Sequence, residues 1–231
     1  MSAPMKYPSV GYVFLRSGLL AMALTAATAA RAAKTNAATG RASAAAPTPT
    51  STAAADTNAY AAVTENLTDE GYLELRVGNY DAALDRFAEA LRRNTTHKRA
   101  LFGLGTALIS LNRHADAARV LTPLAQRYPD DYFTLNNLAW LYATTPDPRL
   151  RDGARATDLA LRALTLAPND YHVWSSLSEA HFISGNYERA IHAAEWAVTL
   201  AQQTGDPNRV QEYLQQLEKC RQAALAAKIL E

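Results

Sequence analysis

The sequence predicts an all-α solenoid of helix-turn-helix repeats, and three observations predict it. Leu67, Leu101 and Leu135 are each 34 residues apart, as are Gly71 and Gly105, Ala83 and Ala117, and Ala156 and Ala190. Within the unit Lys98 to Asp131, Leu101, Leu104 and Leu108 fall on one helical face, and Ala117, Val120, Leu121 and Leu124 on another, separated by the break Leu111-Asn112-Arg113. Small residues at Gly105 and Ala117 let the two helices approach, and Pro129 ends the second because it cannot supply the next intrahelical donor. One such pair cannot bury its own apolar face, so a fixed period of helix pairs implies a stack stabilised by contacts between repeats.

Taken in order, the chain begins with a segment free of acids: none occurs before Asp56, whereas Lys6, Arg16, Arg31, Lys34 and Arg41 all do. A basic start, the apolar run Gly18 to Ala30 and the small-residue site Ala30-Arg31-Ala32 have the layout of a secretory signal peptide over residues 1–32, with cleavage before Ala33. The expectation is an exported protein, periplasmic or secreted. An organelle transit peptide is the alternative, since such peptides are also acid-poor. The uninterrupted run is short of the ~20 residues that cross a bilayer. Residues 33–57, rich in Ala, Thr, Ser and Pro, are expected to form a disordered linker, because they offer little apolar surface to offset ordering. Residues 58–231 are then the folded domain.

The first repeat, about 64–97, needs a long helix from Asn58 to Val77 and a second from Tyr80 to Arg93. Gly78 and Gly185 hold the same place in their repeats, each before Asn-Tyr, and are expected to end a helix in the left-handed conformation. The second repeat is 98–131. The third, 132–170, is longer, because Leu135 to Trp174 spans 39 residues. The surplus falls in Thr144 to Arg151, where Pro146 and Pro148 stop the first helix and Asp152 is placed to cap the next. This loop reads as a spacer, with a contact site as the alternative. The fourth repeat is 171–204. Gly205-Asp206-Pro207 then gives a helix end, an N-cap and a first helical residue, opening a capping helix over 206–229. Val210, Tyr213, Leu214, Leu217 and Cys220 form its expected inner side.

These residues resemble the tetratricopeptide repeat family. Its Leu, Gly, Tyr, Ala, Phe, Ala pattern is matched by Leu67, Gly71, Tyr80, Ala83, Phe87 and Ala90; by Leu101, Leu104, Gly105, Ala117, Leu121 and Pro129; by Leu135, Leu138, Ala139, Tyr142, Ala156, Ala160, Ala163 and Pro168; and by Trp174, Leu177, Ser178, Tyr187, Ala190, Ala194 and Ala197. Departures include His114 at the Tyr position, and Thr95 and Gln202 at the Pro position. The resemblance implies a right-handed solenoid of four repeats plus a capping helix. It also implies a concave face lined by the first helix of each repeat.

By that resemblance the groove-facing positions are Thr68, Tyr72 and Leu75; Arg99, Phe102, Thr106 and Ile109; Phe133, Asn136, Asn137 and Trp140; and His172, Ser175, Glu179 and Phe182. The expected partner-binding site consists of Tyr72, Arg99, Phe102, Phe133, Asn136, Asn137, Trp140, Glu179 and Phe182. Its aromatic members act as anchors, unless they pack between repeats instead. The family's carboxylate clamp would find only Arg99 and Asn137 of suitable type. An Asn ladder would meet Asp69, Gly103 and Ser176 at the positions equivalent to Asn137. A mainly apolar groove for a peptide or helix of a partner protein fits better.

A formal charge of +1 gives no electrostatic support to nucleic-acid binding. No phosphate loop, nucleophile motif or paired-histidine metal motif is present, so no catalytic residue, small-molecule substrate, cofactor or metal is expected. His181 and His192 sit on the two helices of one repeat and could meet. Cys220, the sole thiol, reads as a small buried hydrophobe, with an intermolecular bridge as the alternative. The function expected is a non-enzymatic scaffold that binds a partner protein in an exported envelope assembly. The alternative is a self-associating module that forms homo-oligomers.

Overall fold

The computed structural model describes residues 49–230, with side chains from residue 60. The expected signal peptide lies outside the described residues. Within them the chain is helical throughout: α1 (Pro49–Val77), α2 (Tyr80–Arg93), α3 (Lys98–Ser110), α4 (His114–Arg127), α5 (Tyr132–Thr144), α6 (Gly153–Leu166), α7 (Tyr171–Ile183), α8 (Tyr187–Gln202) and α9 (Pro207–Leu230). The first eight form four antiparallel pairs, and each second helix packs on the first helix that follows. First helices also touch one another along the stack, α1 on α3, α3 on α5 and α5 on α7, whereas second helices scarcely meet across repeats. The stack therefore curves with the first helices inside.

Each pair closes through one reciprocal contact. In the first, Gly71 faces the Phe87 ring, and in the second Gly105 faces Leu121; a Cβ on either glycine would overlap its partner. The third and fourth pairs use small residues on both sides, placing Ala139 and Ser178 at the glycine position and Ala160 and Ala194 at the large one, all fully buried. Ser178 satisfies its hydroxyl by donating to the Ala190 carbonyl at 2.9 Å. Phe87 also reaches across the first junction, lying against Gly103 of α3 and meeting Tyr72 edge-on at 5.2 Å.

The turns follow from local chemistry. Gly78 and Gly185 have φ of +83° and +73°, as expected, and Asn112 holds the equivalent place in the second repeat at φ +57°. Asn tolerates the left-handed region better than other side chains. Asp152 caps α6 by accepting from the Arg155 amide at 2.9 Å, and Asp206 caps α9 by accepting from the Asn208 amide at 3.0 Å. The inserted loop is held by its own bonds. Arg151 donates to the carbonyls of Thr145 and Pro146, and the Asp152 amide donates to Tyr142. Its far end seats Gly153 against Ser184 and Ile183 at the end of α7.

Two details differ from expectation. The segment expected as linker over 33–57 is helical from Pro49, nine residues before Asn58. Proline is tolerated in the first helical turn, where its missing N–H has no partner to lose, and Ala53 to Ala55 propagate the helix. Leu214, expected on the inner side of α9, is 41% exposed; Tyr213, Leu217 and Cys220 are buried as expected, and Ala224 joins them.

The helix α9 occupies the place a fifth first helix would take. It packs on α8 and runs parallel to α7: Tyr213 meets His172, Gln216 meets Ser175, and Lys219 meets Glu179. The Tyr213 hydroxyl and His172 Nδ1 are 3.0 Å apart in a closed seam. Cys220 is fully buried there, 3.6 Å from Ser178 Oγ, and burial raises its thiol pKa.

Gly105→Ala is expected to destabilise the fold by about 1–3 kcal/mol through overpacking on Leu121. Urea denaturation should also show Gly105→Ala and Leu121→Ala to be non-additive by more than about 0.5 kcal/mol, since each relieves the other. A second expectation concerns acid. Burial holds the His172 imidazole well below its ordinary value, with Arg209 adding to the effect, and burial lowers His114 and His181 as well. Unfolded, these groups titrate near 6.5, so below that pH the unfolded chain takes up protons that the folded chain refuses. Stability therefore falls between pH 7 and 5.5, by up to about 1.4 kcal/mol per pH unit for His172, with smaller losses from His114 and His181. Thermal melts of the wild type and His172→Gln should show the variant to be less acid-sensitive.

Candidate functional site

The inner surface begins at an ion cluster. On α3, Arg99 donates to Glu65 at 2.6 Å and to Asp69 at 2.6 Å, both on α1, and the Tyr72 hydroxyl donates to the Arg99 carbonyl at 2.9 Å. His97, which precedes α3, contacts Glu65 through Nε2 at 3.0 Å. The arginine is largely enclosed, at 19% side-chain exposure, whereas Glu65 and Asp69 keep 51% and 61%. One end of the surface therefore presents carboxylate oxygens to solvent around a sequestered guanidinium.

Aromatic surface follows on the next two repeats. Phe102 meets Phe133 edge-on at 6.2 Å, and Phe133 stacks on Tyr132 at 4.0 Å. Asn137 donates to Thr106 Oγ1 at 3.1 Å across the α3–α5 seam. Phe133 and Trp140 are half-buried on α5, and Thr106 is half-buried on α3.

The far end is covered. Ser175 donates to Gln216 at 2.8 Å, and the Gln216 amide donates back to the Ser175 carbonyl and to Glu179, each at 3.0 Å. Lys219 grips both Glu179 oxygens at 2.6 and 2.7 Å, and its ammonium lies 4.2 Å from the centre of the Phe182 ring.

This geometry divides the expected site. Tyr72, Phe102, Asn136 and Asn137 are buried in the seams between neighbouring first helices and are not open groove anchors. Thr68, Leu75, Ile109, His172 and Ser175 are buried with them. The cause is the curvature: close approach on the inside of the bend encloses whatever sits on the shoulder of each first helix. Glu179 is buried beneath the cap, which takes its charge through Lys219. Arg99, Phe133, Trp140 and Phe182 keep exposure. Sequence reasoning missed Glu65, Asp69 and Lys219. The first two stand one repeat before Arg99, Glu65 at an offset of 34, and that offset is the signal that could have found them.

His181 and His192 do come together, lining one cleft of about 290 Å³ between α7 and α8 with Trp174, Glu188 and Arg189. Glu195, close to His192 in sequence, pairs with Arg221 instead. Among the described residues no three His, Cys, Asp or Glu side chains gather as metal ligands, and no helix is long and apolar enough to cross a membrane.

The comparisons bear on fold and family. A family model described as tetratricopeptide repeat matches residues 68–145. No curated protein matches the sequence. Among solved structures, the chain is similar to TTC0263, a thermophilic protein of this repeat class from Thermus thermophilus. The two share 21% identity over 70% of this chain and 91% of that one, at a TM-score of 0.53. It is also similar to MamA from Desulfovibrio magneticus RS-1 (16% identity, 71% and 96% covered, TM-score 0.51). A third is YrrB, described as having an unusual peptide-binding site (15% identity, 67% and 76% covered, TM-score 0.51). At these identities the structural likeness speaks for the fold, and the sequence match covers the heart of the same stack. With four helix pairs curved around their first helices, the described chain has the fold of a tetratricopeptide repeat solenoid, and residues 68–145 carry the family's sequence match.

Proposed function

We propose that this protein is a non-enzymatic scaffold whose inner surface binds a short segment of a partner protein. The segment's apolar side chain would seat on Phe133 and Trp140, and a basic residue would lie over Glu65 and Asp69. The fold supports a protein-interaction role, since repeat proteins of this class are generally scaffolds. The observation that carries the finer reading is the pairing of half-exposed aromatic rings on α5 with exposed carboxylates on α1, on one curved surface. Rings bury a large area with few rotamers to freeze, and the carboxylates give the bound segment a direction. The peptide-binding site named for YrrB is a precedent on the same fold.

A displayed peptide library selected on the full chain tests this. Enriched peptides should combine an aromatic or large aliphatic residue with Lys or Arg to one side. Trp140→Ala should weaken them by more than about 1 kcal/mol, at least fivefold, without loss of helicity. Glu65→Lys with Asp69→Lys should remove the preference for a basic flank. Peptides that bind all variants alike would overturn the reading.

We also propose that the scaffold works outside the cytoplasm, on the strength of the acid-free basic start, apolar run and small-residue site before Ala33. N-terminal sequencing of the protein from its native source should begin at or near Ala33. An intact Met1 would exclude cleavage.

A further inference from the structure

The two ends of the stack carry matching stripes. On the outer side of α1, Val63, Asn66, Glu70, Leu73 and Val77 follow one another at gaps of three, four, three and four residues, and all five are exposed. On the outer side of α9, Gln215, Glu218, Gln222, Leu225 and Ile229 repeat the same gaps, and all five are exposed. Such spacing keeps a row of side chains on one seam between two helices. The apolar residues are far from incidental: Leu73 is 52% exposed, Val77 70%, Leu225 63% and Ile229 75%.

The α1 stripe is an inter-repeat face without its neighbour. One repeat further on, the position of Leu73 is Ala107, then Leu141, then Ala180, and each of these is fully buried. The position of Asn66 becomes Ala100, Thr134 and Val173, also fully buried. In those repeats the preceding repeat covers the position; in α1 nothing described does so. At the other end α9 already stands as a first helix parallel to α7, so the stack stops with a face of the kind that a further first helix would meet.

We propose that copies of this chain associate end to end, with α1 of one copy laid parallel on α9 of the next. Set in register, Leu73 meets Leu225 and Val77 meets Ile229. Asn66 meets Glu218 and Glu70 meets Gln222, two amide–carboxylate pairs in which the amide donates. Two copies of the α1 stripe facing each other antiparallel would instead bring Glu70 against Glu70. The wider charge agrees: α1 and α2 with their turn hold eight acids against four bases, whereas α9 holds four bases against two acids. The contact is heterologous, so every assembly keeps one free end of each kind and grows as an open chain unless its rotation closes a ring.

Sedimentation velocity on the full chain over a dilution series should show a ladder of masses that shifts upward with concentration. Leu73→Glu with Val77→Glu blocks one end, and Leu225→Glu with Ile229→Glu blocks the other. Both sets are exposed, so circular dichroism should be unchanged. Each blocked variant alone should be monomeric, and an equimolar mixture should give a one-to-one dimer and nothing larger. A wild type that stays monomeric throughout overturns the proposal. So does a blocked variant that dimerises with itself, which would mean a two-fold contact, or a mixture that fails to pair. None of the substituted residues lies on the inner surface, so failure here leaves the groove reading standing.

Discussion

Everything in this molecule depends on how closely two helix backbones can approach within a repeat. The first two repeats achieve it by putting no side chain on one helix and a large one on the other, Gly71 under Phe87 and Gly105 under Leu121. The last two achieve it with small residues on both sides. Either arrangement leaves at least one helix with little or no side chain at the contact, and dense packing is felt at the scale of a single methylene. The spacing within each pair sets the width of the unit, and so where the next first helix can land. Phe87 makes the link explicit, because one ring fills the gap inside its own repeat and the gap against Gly103 of the next.

The period, the helix pairs, the left-handed glycines and the caps at Asp152 and Asp206 were all legible in the sequence, because each is a local rule read at a fixed offset. The inner surface was less legible. Helical spacing places Tyr72, Phe102 and Asn137 on the right helices and near the right face, but which side of the groove's edge they fall on depends on curvature. Curvature is a sum over junctions that no single repeat encodes. The α1 start was misread for a different reason. Pro49 and the Thr run look like breakers, yet a proline at a helix start removes a donor that has no partner there.

The cap shows how polar groups are buried in such a stack. Glu179 would be a costly charge in a seam, but Lys219 and Gln216 arrive together on one turn of α9 and satisfy it. His172 and Tyr213 make a second polar contact at the same interface. Buried polar groups that are fully paired fix a unique geometry rather than merely adding stability. Here that geometry is the register of α9 on α7. The same register orients the outer stripe of α9, so the identity of the last free surface is set by bonds on the opposite side of the helix.

Covering the fourth repeat also fixes a length. With His172, Ser175 and Glu179 beneath α9, the open run of the inner surface extends over α1, α3 and α5. Neighbouring helix axes stand about 8–10 Å apart, so three of them span roughly 20–30 Å. An extended polypeptide advances about 3.3 Å per residue, and such a span accommodates about six to nine residues. A footprint that small limits how tightly one copy can hold a partner. Several footprints presented at fixed intervals would convert modest single-site affinity into avidity.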